Sequence, residues 1–511
     1  EKAAIKIKGD TTEFNASSYS IQPNDKVEDL LKKLPGIQVD KDGKITAQGK
    51  TVPKVLVDGE EFFGDDPTLV TKNLRADMVD KVQLYEKSSD QAAFTGVDDG
   101  QKTQTINIKL KEDKKSGYFG KIDAGYGTKD FYQGQALFNR FKAKQKFSVY
   151  GTAANNGTTG LSWEDGNKLG AGNNNMQMGD DGSMWFNYGD GDDLENGNYY
   201  GEGIPRALTG GAHYDNKWNS DKESINTNYK LGSLGIKTTK NTLSQNNLPD
   251  GIINTNTDET SDRNVFRQKM DAVYTIKLDT TSNLKVSVDG LLKNSDNTSS
   301  LNSIGLRGDN SKLNENKQSN SNDGKEQNFN ISAFYTKKLK KLGRNYSVNI
   351  SQNLNDISSD GFLNSVVEYY DESGLPLRKE VTDQLKKNNT QNSIFSSNVT
   401  YNEPLTKSIA LVLNYGFGIN ESRSDRKSFN QSSPGNYDIL DKEFSNDFKA
   451  SQYINQGGAV FNYKKPKTTI SFGSKVSAVK FDQLEQLSNQ SYNRSFINWL
   501  PQASYMYKFS A

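Results

Sequence analysis

The sequence predicts a transmembrane antiparallel β-barrel preceded by a small N-terminal α/β domain, and three observations carry that prediction. From Ser116 onward, segments of about ten to sixteen residues alternate apolar and polar positions, the period of a half-buried strand. The connections between those segments are sorted, one very short, the next mostly long and polar. Mean hydropathy is only −0.82 although 24 Tyr and 24 Phe are present. A barrel with a polar interior accounts for the third, because only alternate residues meet lipid.

Composition removes the competing classes. With 33 % hydrophobic residues, a soluble chain of 511 residues would have poor cores. Disorder conflicts with the aromatic content, since disordered chains are poor in such residues. No run approaches the roughly 18 apolar residues of a membrane-spanning helix. A net charge of +1 supplies no basic field for nucleic acid. There is no cysteine, which excludes a disulfide framework, a thiolate zinc site and a thiol nucleophile. The chain opens at Glu1 without a signal peptide; an exported protein would have lost it or would carry it upstream.

Residues 1–24 read as an N-terminal extension with one alternating segment, IKIKGDTTEF. Residues 25–115 read as the small domain. Asp25 with Glu28 three residues on approximates a capping box. Val27, Leu30, Leu31 and Leu34 then fall on one helix face, and Pro35-Gly36 stops the helix. IQV (37–39) and KITAQ (44–48) are strands around the turn DKDG, with Gly43 at its end. The strand VPKVLVDG (52–59) ends in an Asp58-Gly59 turn after Val57. Asp66-Pro67 opens a short helix. Val79–Tyr85 and TINIKL (105–110) complete the unit. Gly36, Gly43 and Gly59 are turn residues, where positive φ costs little.

Residues 116–511 read as the barrel. In RNYSVNISQNL (344–354), Tyr346, Val348, Ile350 and Leu354 oppose Asn345, Ser347, Asn349, Ser351 and Asn353. FRQKMDAVYTIKL (266–278) and SIALVLNYGFGIN (408–420) alternate likewise. Short turns are expected at 142–146, 219–222, 279–282, 339–343, 402–407 and 464–467. Long outer loops are expected at 156–205, 235–262, 294–326, 356–389, 420–452 and 482–492, with 127–130 a short exception. Tyr118, Tyr126, Trp218, Tyr346, Tyr401 and Trp499 gather near strand ends as an interfacial girdle should. About fourteen strands fit between Gly117 and Phe509. Barrels with a folded domain in the lumen have 22 strands, so about eight more are expected beyond this stretch.

EDLLKKLPGIQV followed by VLVDG resembles the plug of TonB-dependent outer-membrane receptors, and the wider stretch to GDDP is similar to the outer-membrane β-barrel family of Bacteroidetes. KNLRADMVDKVQLYEK and SGYFGKIDAGYG extend the resemblance, which covers roughly residues 8–156. It implies a Gram-negative outer-membrane protein whose plug carries Leu30, Leu31, Leu34, Pro35, Gly36, Val57, Asp58 and Gly59 as its motif. It further implies substrate uptake by plug movement, energised through the TonB complex. EKAAIKIKGD departs from the family in showing no TonB box, and the regulatory domain that often precedes such plugs is absent from this stretch.

The loop 156–205 holds Trp163, Trp185, Phe186, Tyr188, Tyr199 and Tyr200 among Gly, Asn and Asp. These aromatics either bind a polar ligand such as a glycan or peptide, or form the loop's own small core. Asp180, Asp181, Asp190, Asp192, Asp193 and Glu195 either ligate calcium or form a solvated acidic loop, since DGDDLENG lacks EF-hand spacing. His213, the one histidine, has no His or Cys partner in sequence and reads as structural, so no metal site is assigned. Arg267, Lys269, Asp271, Lys285 and Asp289 lie on a polar strand face, for cross-strand ion pairs or contact with the plug. Asp58 reads as a turn former, not a general base. No paired carboxylates and no P-loop are present, so no catalytic residue and no cofactor are expected.

The expected partners are therefore outer-membrane lipid, the TonB complex, an unidentified substrate and a surface lipoprotein on the outer loops. A non-transporting barrel for adhesion or assembly, and a soluble all-β glycan-binding protein, are the alternatives.

Overall fold

The computed structural model describes the chain except residues 1–2, 41–43, 62–69, 73, 96–101, 143, 161–175, 179–183, 187–193, 195–198, 200, 250, 508 and 510–511. An N-terminal mixed unit and a 14-stranded antiparallel sheet make up most of it.

The N-terminal unit begins with a hairpin of β1 (Ile5–Lys8) and β2 (Thr11–Asn15). Helix α1 (Val27–Lys32) buries Val27, Leu30 and Leu31, the stripe its spacing predicts. Its start differs from expectation by one residue. The Lys26 backbone N–H donates to Asp29 at 2.9 Å, so Asp29 closes the box, while Glu28 pairs with Lys32. Asp25 instead accepts from the Gln22 backbone and the Lys33 ammonium. Gly36 follows at φ +78°, which ends the helix as predicted.

Strands β3 (Ile37–Val39), β4 (Ile45–Ala47) and β5 (Lys50–Thr51) form a small sheet. The larger sheet runs β1-β2-β8-β9-β6-β7, where β6 is Lys54–Val57, β7 Glu60–Glu61, β8 Val79–Ser88 and β9 Lys102–Leu110. Residues 5–15, expected as an extension, thus supply two strands of this sheet. Strand β6 lies parallel to β9, and the other pairings are antiparallel. Leu30, Leu31, Ile45, Val57, Ile106 and Ile108 meet in one core. Each such side chain stabilises the unit by about 1.5–3 kcal/mol of buried apolar surface. A second helix, α2 (Asp90–Thr95), follows β8. Asp66-Pro67 lies outside the described residues.

The large sheet is a meander. It opens with β10 (Ser116–Tyr126), β11 (Tyr132–Lys142) and β12 (Gln145–Ala154). A two-stranded hairpin, β13 (Met176–Met178) and β14 (Met184–Phe186), sits in the connection that follows. The meander resumes with β15 (Ile204–Trp218), β16 (Glu223–Leu248), β17 (Gly251–Lys277), β18 (Ser282–Arg307) and β19 (Lys312–Lys338). It continues through β20 (Asn345–Tyr370), β21 (Pro376–Pro404), β22 (Ile409–Ser433), β23 (Asn436–Lys464), β24 (Thr468–Glu485) and β25 (Gln490–Tyr507). Every neighbour in sequence is a neighbour in the sheet, and among the described residues β10 and β25 each keep one edge unpaired.

The expected short turns are present. The expected long loops at 235–262, 294–326, 356–389, 420–452 and 482–492 are not loops. Those residues continue the strands and close in tight hairpins, such as Leu248 opposite Gly251 and Ser433 opposite Asn436. Strands β16–β23 are 25 to 29 residues long. At about 3.4 Å per residue the longest run close to 100 Å, against a lipid-facing band about 25 Å tall. Most of the polar half therefore stands outside the bilayer as paired sheet. With water on both faces, nothing there requires alternation, and the pairing persists without it.

Candidate functional site

The two faces of the sheet are inverted relative to a soluble protein. Ser347, Ser351, Ser396, Thr400, Asn402 and Gln456 are buried, whereas Ile331, Ile350, Leu354, Val399, Leu413 and Phe461 are exposed. The polar face turns towards the N-terminal unit, and among the described residues the apolar face stays exposed. An apolar belt of that extent on a polar chain needs lipid around it.

Residues 367–511 match the outer membrane protein beta-barrel family. That places the chain in the outer membrane of a Gram-negative cell, with the 14-stranded antiparallel sheet, here called the wall, as its lipid-facing part. Comparison with curated proteins finds no match. Similar solved structures include the siderophore receptor PirA from Pseudomonas aeruginosa, at 10% identity and TM-score 0.22, covering 97% of this chain and 100% of that one. The alcaligin receptor FauA from Bordetella pertussis aligns at 10% identity and TM-score 0.20, over 97% and 94% of the two chains. The ferric yersiniabactin uptake receptor FyuA from Yersinia pestis aligns at 11% and 0.21, over 96% and 89%. Overlap this weak says nothing about ligand or mechanism.

The residues most able to act lie where the N-terminal unit, the plug, meets the wall. The VDG turn is the centre of that contact. Asp58 has φ 54° and Gly59 φ 89°, the paired positive values of a two-residue hairpin turn. Strand β9 holds the turn from behind: the Asp58 N–H donates to Ile108, Leu110 N–H donates to the Asp58 carboxylate, and Gly59 N–H donates to Asn107. The turn's outer side faces the wall. The buried Lys146 ammonium donates to the Val57 carbonyl at 2.8 Å. Lys217 pairs with Glu60 at 2.5 Å, and the Asn226 amide donates to the Glu61 carbonyl at 2.7 Å.

The charges at this latch are arranged to compensate one another. Lys146 and Asp215 are directly opposite on β12 and β15, and Asp58 and Glu60 add negative charge near the same ammonium. A buried cation is tolerated only with such company. Two further contacts tie α2 to the wall: Lys285 to Asp90 at 2.5 Å, and the Ser347 hydroxyl to Gln91 at 2.9 Å. In the plug, Glu13 is held by Gln83, Lys8 and Lys81 and its carboxyl is pushed down to about 2.

Among the described residues, the wall joins the plug's apolar core in one sector. Leu137 and Phe141 of β11 join the plug core, with Phe119 and Tyr150 packed beside them. On the far side a cavity of about 740 Å³ separates the plug from the β23–β24 turn, with Lys50, Tyr85 and Glu86 on one wall and Asn462, Lys464 and Thr469 on the other.

The plug motif falls into two groups. Leu30, Leu31, Leu34 and Val57 are core, while Pro35-Gly36 and Asp58-Gly59 are turns, and the residues that flank the second turn, Val57, Glu60 and Glu61, touch the wall. Of the loop aromatics, Tyr199 packs, with Leu194, on a cluster of Ala207, Leu234 and Ile236 of β15 and β16. Its hydroxyl donates to the Glu202 carbonyl at 2.6 Å. Trp185 and Phe186 belong to β14, but their side chains, like Trp163, Tyr188 and Tyr200, lie outside the described residues. The acidic candidates Asp180, Asp181, Asp190, Asp192, Asp193 and Glu195 lie there too.

His213 is buried on the inner face of β15, Nδ1 at 2.6 Å from the Asn228 carboxamide oxygen. Asn228 in turn donates to Asp271 at 2.6 Å, and Asp271 stands opposite Asp289 in the register. Of the polar-face residues singled out in the sequence, Lys285 reaches the plug in an ion pair with Asp90. Sequence reasoning missed Lys146, Lys217 and Asn226 as plug contacts. The donor–acceptor pairs are separated by 89 and 165 residues for Lys146 and Asn226, beyond any local pattern.

Proposed function

We propose that the protein is an outer-membrane receptor and transporter whose plug moves to admit a substrate, energised through TonB. The observation that carries this reading is the asymmetry of the plug's attachment. One sector is apolar, at Leu137 and Phe141, while the VDG turn and α2 are held by ion pairs and hydrogen bonds. Polar contacts exchange for water at little net cost, typically about 1 kcal/mol each. Apolar burial does not. A pull on the N-terminal hairpin releases the polar latches first and swings the plug about β11, widening the cavity beside the β23–β24 turn. The two open edges at β10 and β25 fit a wider closed wall, since unpaired strand edges are not left facing lipid.

A second reading, a non-transporting barrel for adhesion or assembly, draws on the projecting hairpins, which offer a large paired surface to a partner such as a surface lipoprotein. One experiment separates the two. The chain has no cysteine, so Gln91→Cys supplies a single reporter at the plug–wall contact. In living cells, maleimide labelling of that cysteine is expected to rise when TonB is functional and fall when it is absent. Labelling indifferent to TonB would favour the adhesion reading.

A further inference from the structure

Two cations of β11 stand on the lipid-facing side of the wall. Arg140 and Lys142 are two residues apart on one strand, so their side chains leave the same face. That face is the outer one. Phe138, next in the series, is 43% exposed, whereas Leu137, Asn139 and Phe141 of the alternate series are buried. Among the described residues neither cation makes a side-chain hydrogen bond or ion pair. Arg140 lies over the Tyr118 ring of β10, 6.0 Å from its centroid. Two carboxylates of the same rim are already taken, Asp221 by Lys144 at 2.7 Å and Glu112 by Lys115 at 2.5 Å.

The depth of this pair follows from the strand ends. The short turns mark the periplasmic rim of such a wall. Strand β11 ends there at Lys142, with Arg140 two residues inside. Tyr274 and Tyr335 lie three residues inside the same ends of β17 and β19, and Tyr346 one residue inside β20. Arg140 is therefore at the depth of the aromatic girdle, where headgroups begin. In an outer membrane the periplasmic leaflet is the phospholipid one.

From Arg140 towards the middle of the belt, the same face forms a shallow trough along the strands. The outward positions of β11 are Phe138, Ala136 and Gly134, and their register partners on β12 are Val149, Gly151 and Ala153. A Cβ at Gly134 would find its nearest atom, the Ala153 carbonyl oxygen, at 3.9 Å, and one at Gly151 would find the Thr209 carbonyl oxygen at 3.9 Å. The floor is thus open above both glycines. Arg140 to Gly134 is about 20 Å of strand at about 3.4 Å per residue. Tilted by about 40°, that length rises about 15 Å, half of a hydrocarbon core about 30 Å thick. The trough spans one leaflet, with two unopposed cations at its headgroup end.

We propose that this face is a site for a phospholipid of net negative charge in the periplasmic leaflet. The phosphate meets the Arg140 guanidinium, whose planar fork matches phosphate oxygens, with Lys142 beside it. One acyl chain lies along β11 and β12 over Ala136, Gly134 and Gly151. A headgroup amine would bring a third cation to the pair and is disfavoured. The site belongs to the wall alone and is independent of plug movement.

Native mass spectrometry of the full chain in detergent tests this, with an equimolar mixture of phosphatidylglycerol and phosphatidylethanolamine as probe. In the single-lipid adduct, phosphatidylglycerol is expected to be favoured by about fivefold, the scale of one cation beside an anionic lipid surface. Arg140→Gln with Lys142→Gln is expected to erase that preference, whereas Lys407→Gln, in the turn between β21 and β22, leaves it intact. Gly134→Leu fills the trough and is expected to lower the phosphatidylglycerol adduct by a similar factor. Folding of each variant is read from heat-modifiable gel mobility, and the charge variants leave the trough open should Gly134→Leu fail to fold. Equal adducts of the two lipids on the unaltered chain, the behaviour of an ordinary belt lipid, would overturn the proposal. So would a preference that survives loss of both cations, one that Lys407→Gln also erases, or an adduct indifferent to a folded Gly134→Leu.

Discussion

Lys146 shows how much of this molecule's behaviour rests on single buried polar groups. Its ammonium is inside the wall, opposite Asp215, and its donor reaches the Val57 carbonyl of the plug. Lys146→Met removes the donor to Val57 and leaves Lys217 and Asn226 beside the Asp215 carboxylate, so it is expected to destabilise by roughly 1–3 kcal/mol in denaturant unfolding, and adding Asp215→Asn to recover part of that loss. Glu13 makes a different point, in the plug. Its carboxyl titrates at about 2 folded against 4.5 in the free group. The unfolded chain therefore binds the extra proton in that interval, and the contribution of Glu13 is complete above about pH 4.5 and fades as pH falls towards 2. Thermal unfolding of the full chain across that range should show a steeper acid loss than Glu13→Gln, which has no carboxyl to protonate.

The long hairpins set the character of the molecule at the scale of elements. In β16–β23 the half nearest the short turns is amphipathic and the other half is mostly polar, yet strand pairing runs through both, with register shifts only in the outer half, as at Gly305/Leu306, Tyr369/Tyr370 and Arg426/Ser428. Excising residues 240–259 and joining Thr239 to Thr260, which are register partners, shortens one projecting hairpin without touching the belt. The trimmed protein should still insert and keep its heat-modifiable mobility, because belt residues drive insertion. Loss of the folded band would mean that the projecting half is needed to form the wall. The same division explains what could be read in advance. Leu30, Leu31 and Leu34 announced a helix face, Asp58-Gly59 announced a turn, and Tyr346 to Leu354 announced a lipid-facing strand. Residues 251–262 and 314–323 announced nothing, because alternation marks a strand only where its faces meet different solvents. The latch was invisible for another reason: Lys146 and Val57 are 89 positions apart, and neither is unusual where it stands.

As a whole the molecule is inside out. Its buried positions on the wall are serine, threonine and asparagine, its exposed ones isoleucine, leucine and phenylalanine, and a small, conventionally packed plug sits on the polar side. Ion pairs and amides hold that plug along the VDG turn and α2, and among the described residues the apolar packing lies in the sector around β11. Everything said of function depends on which face of the wall meets lipid. Single cysteines at Asn349 and Ile350, adjacent on β20, test that directly when labelled with a fluorophore in liposomes that carry a quencher on their acyl chains. The label at Ile350 should be strongly quenched and the label at Asn349 barely affected. Equal quenching at the two positions, or quenching at Asn349 alone, would contradict the account.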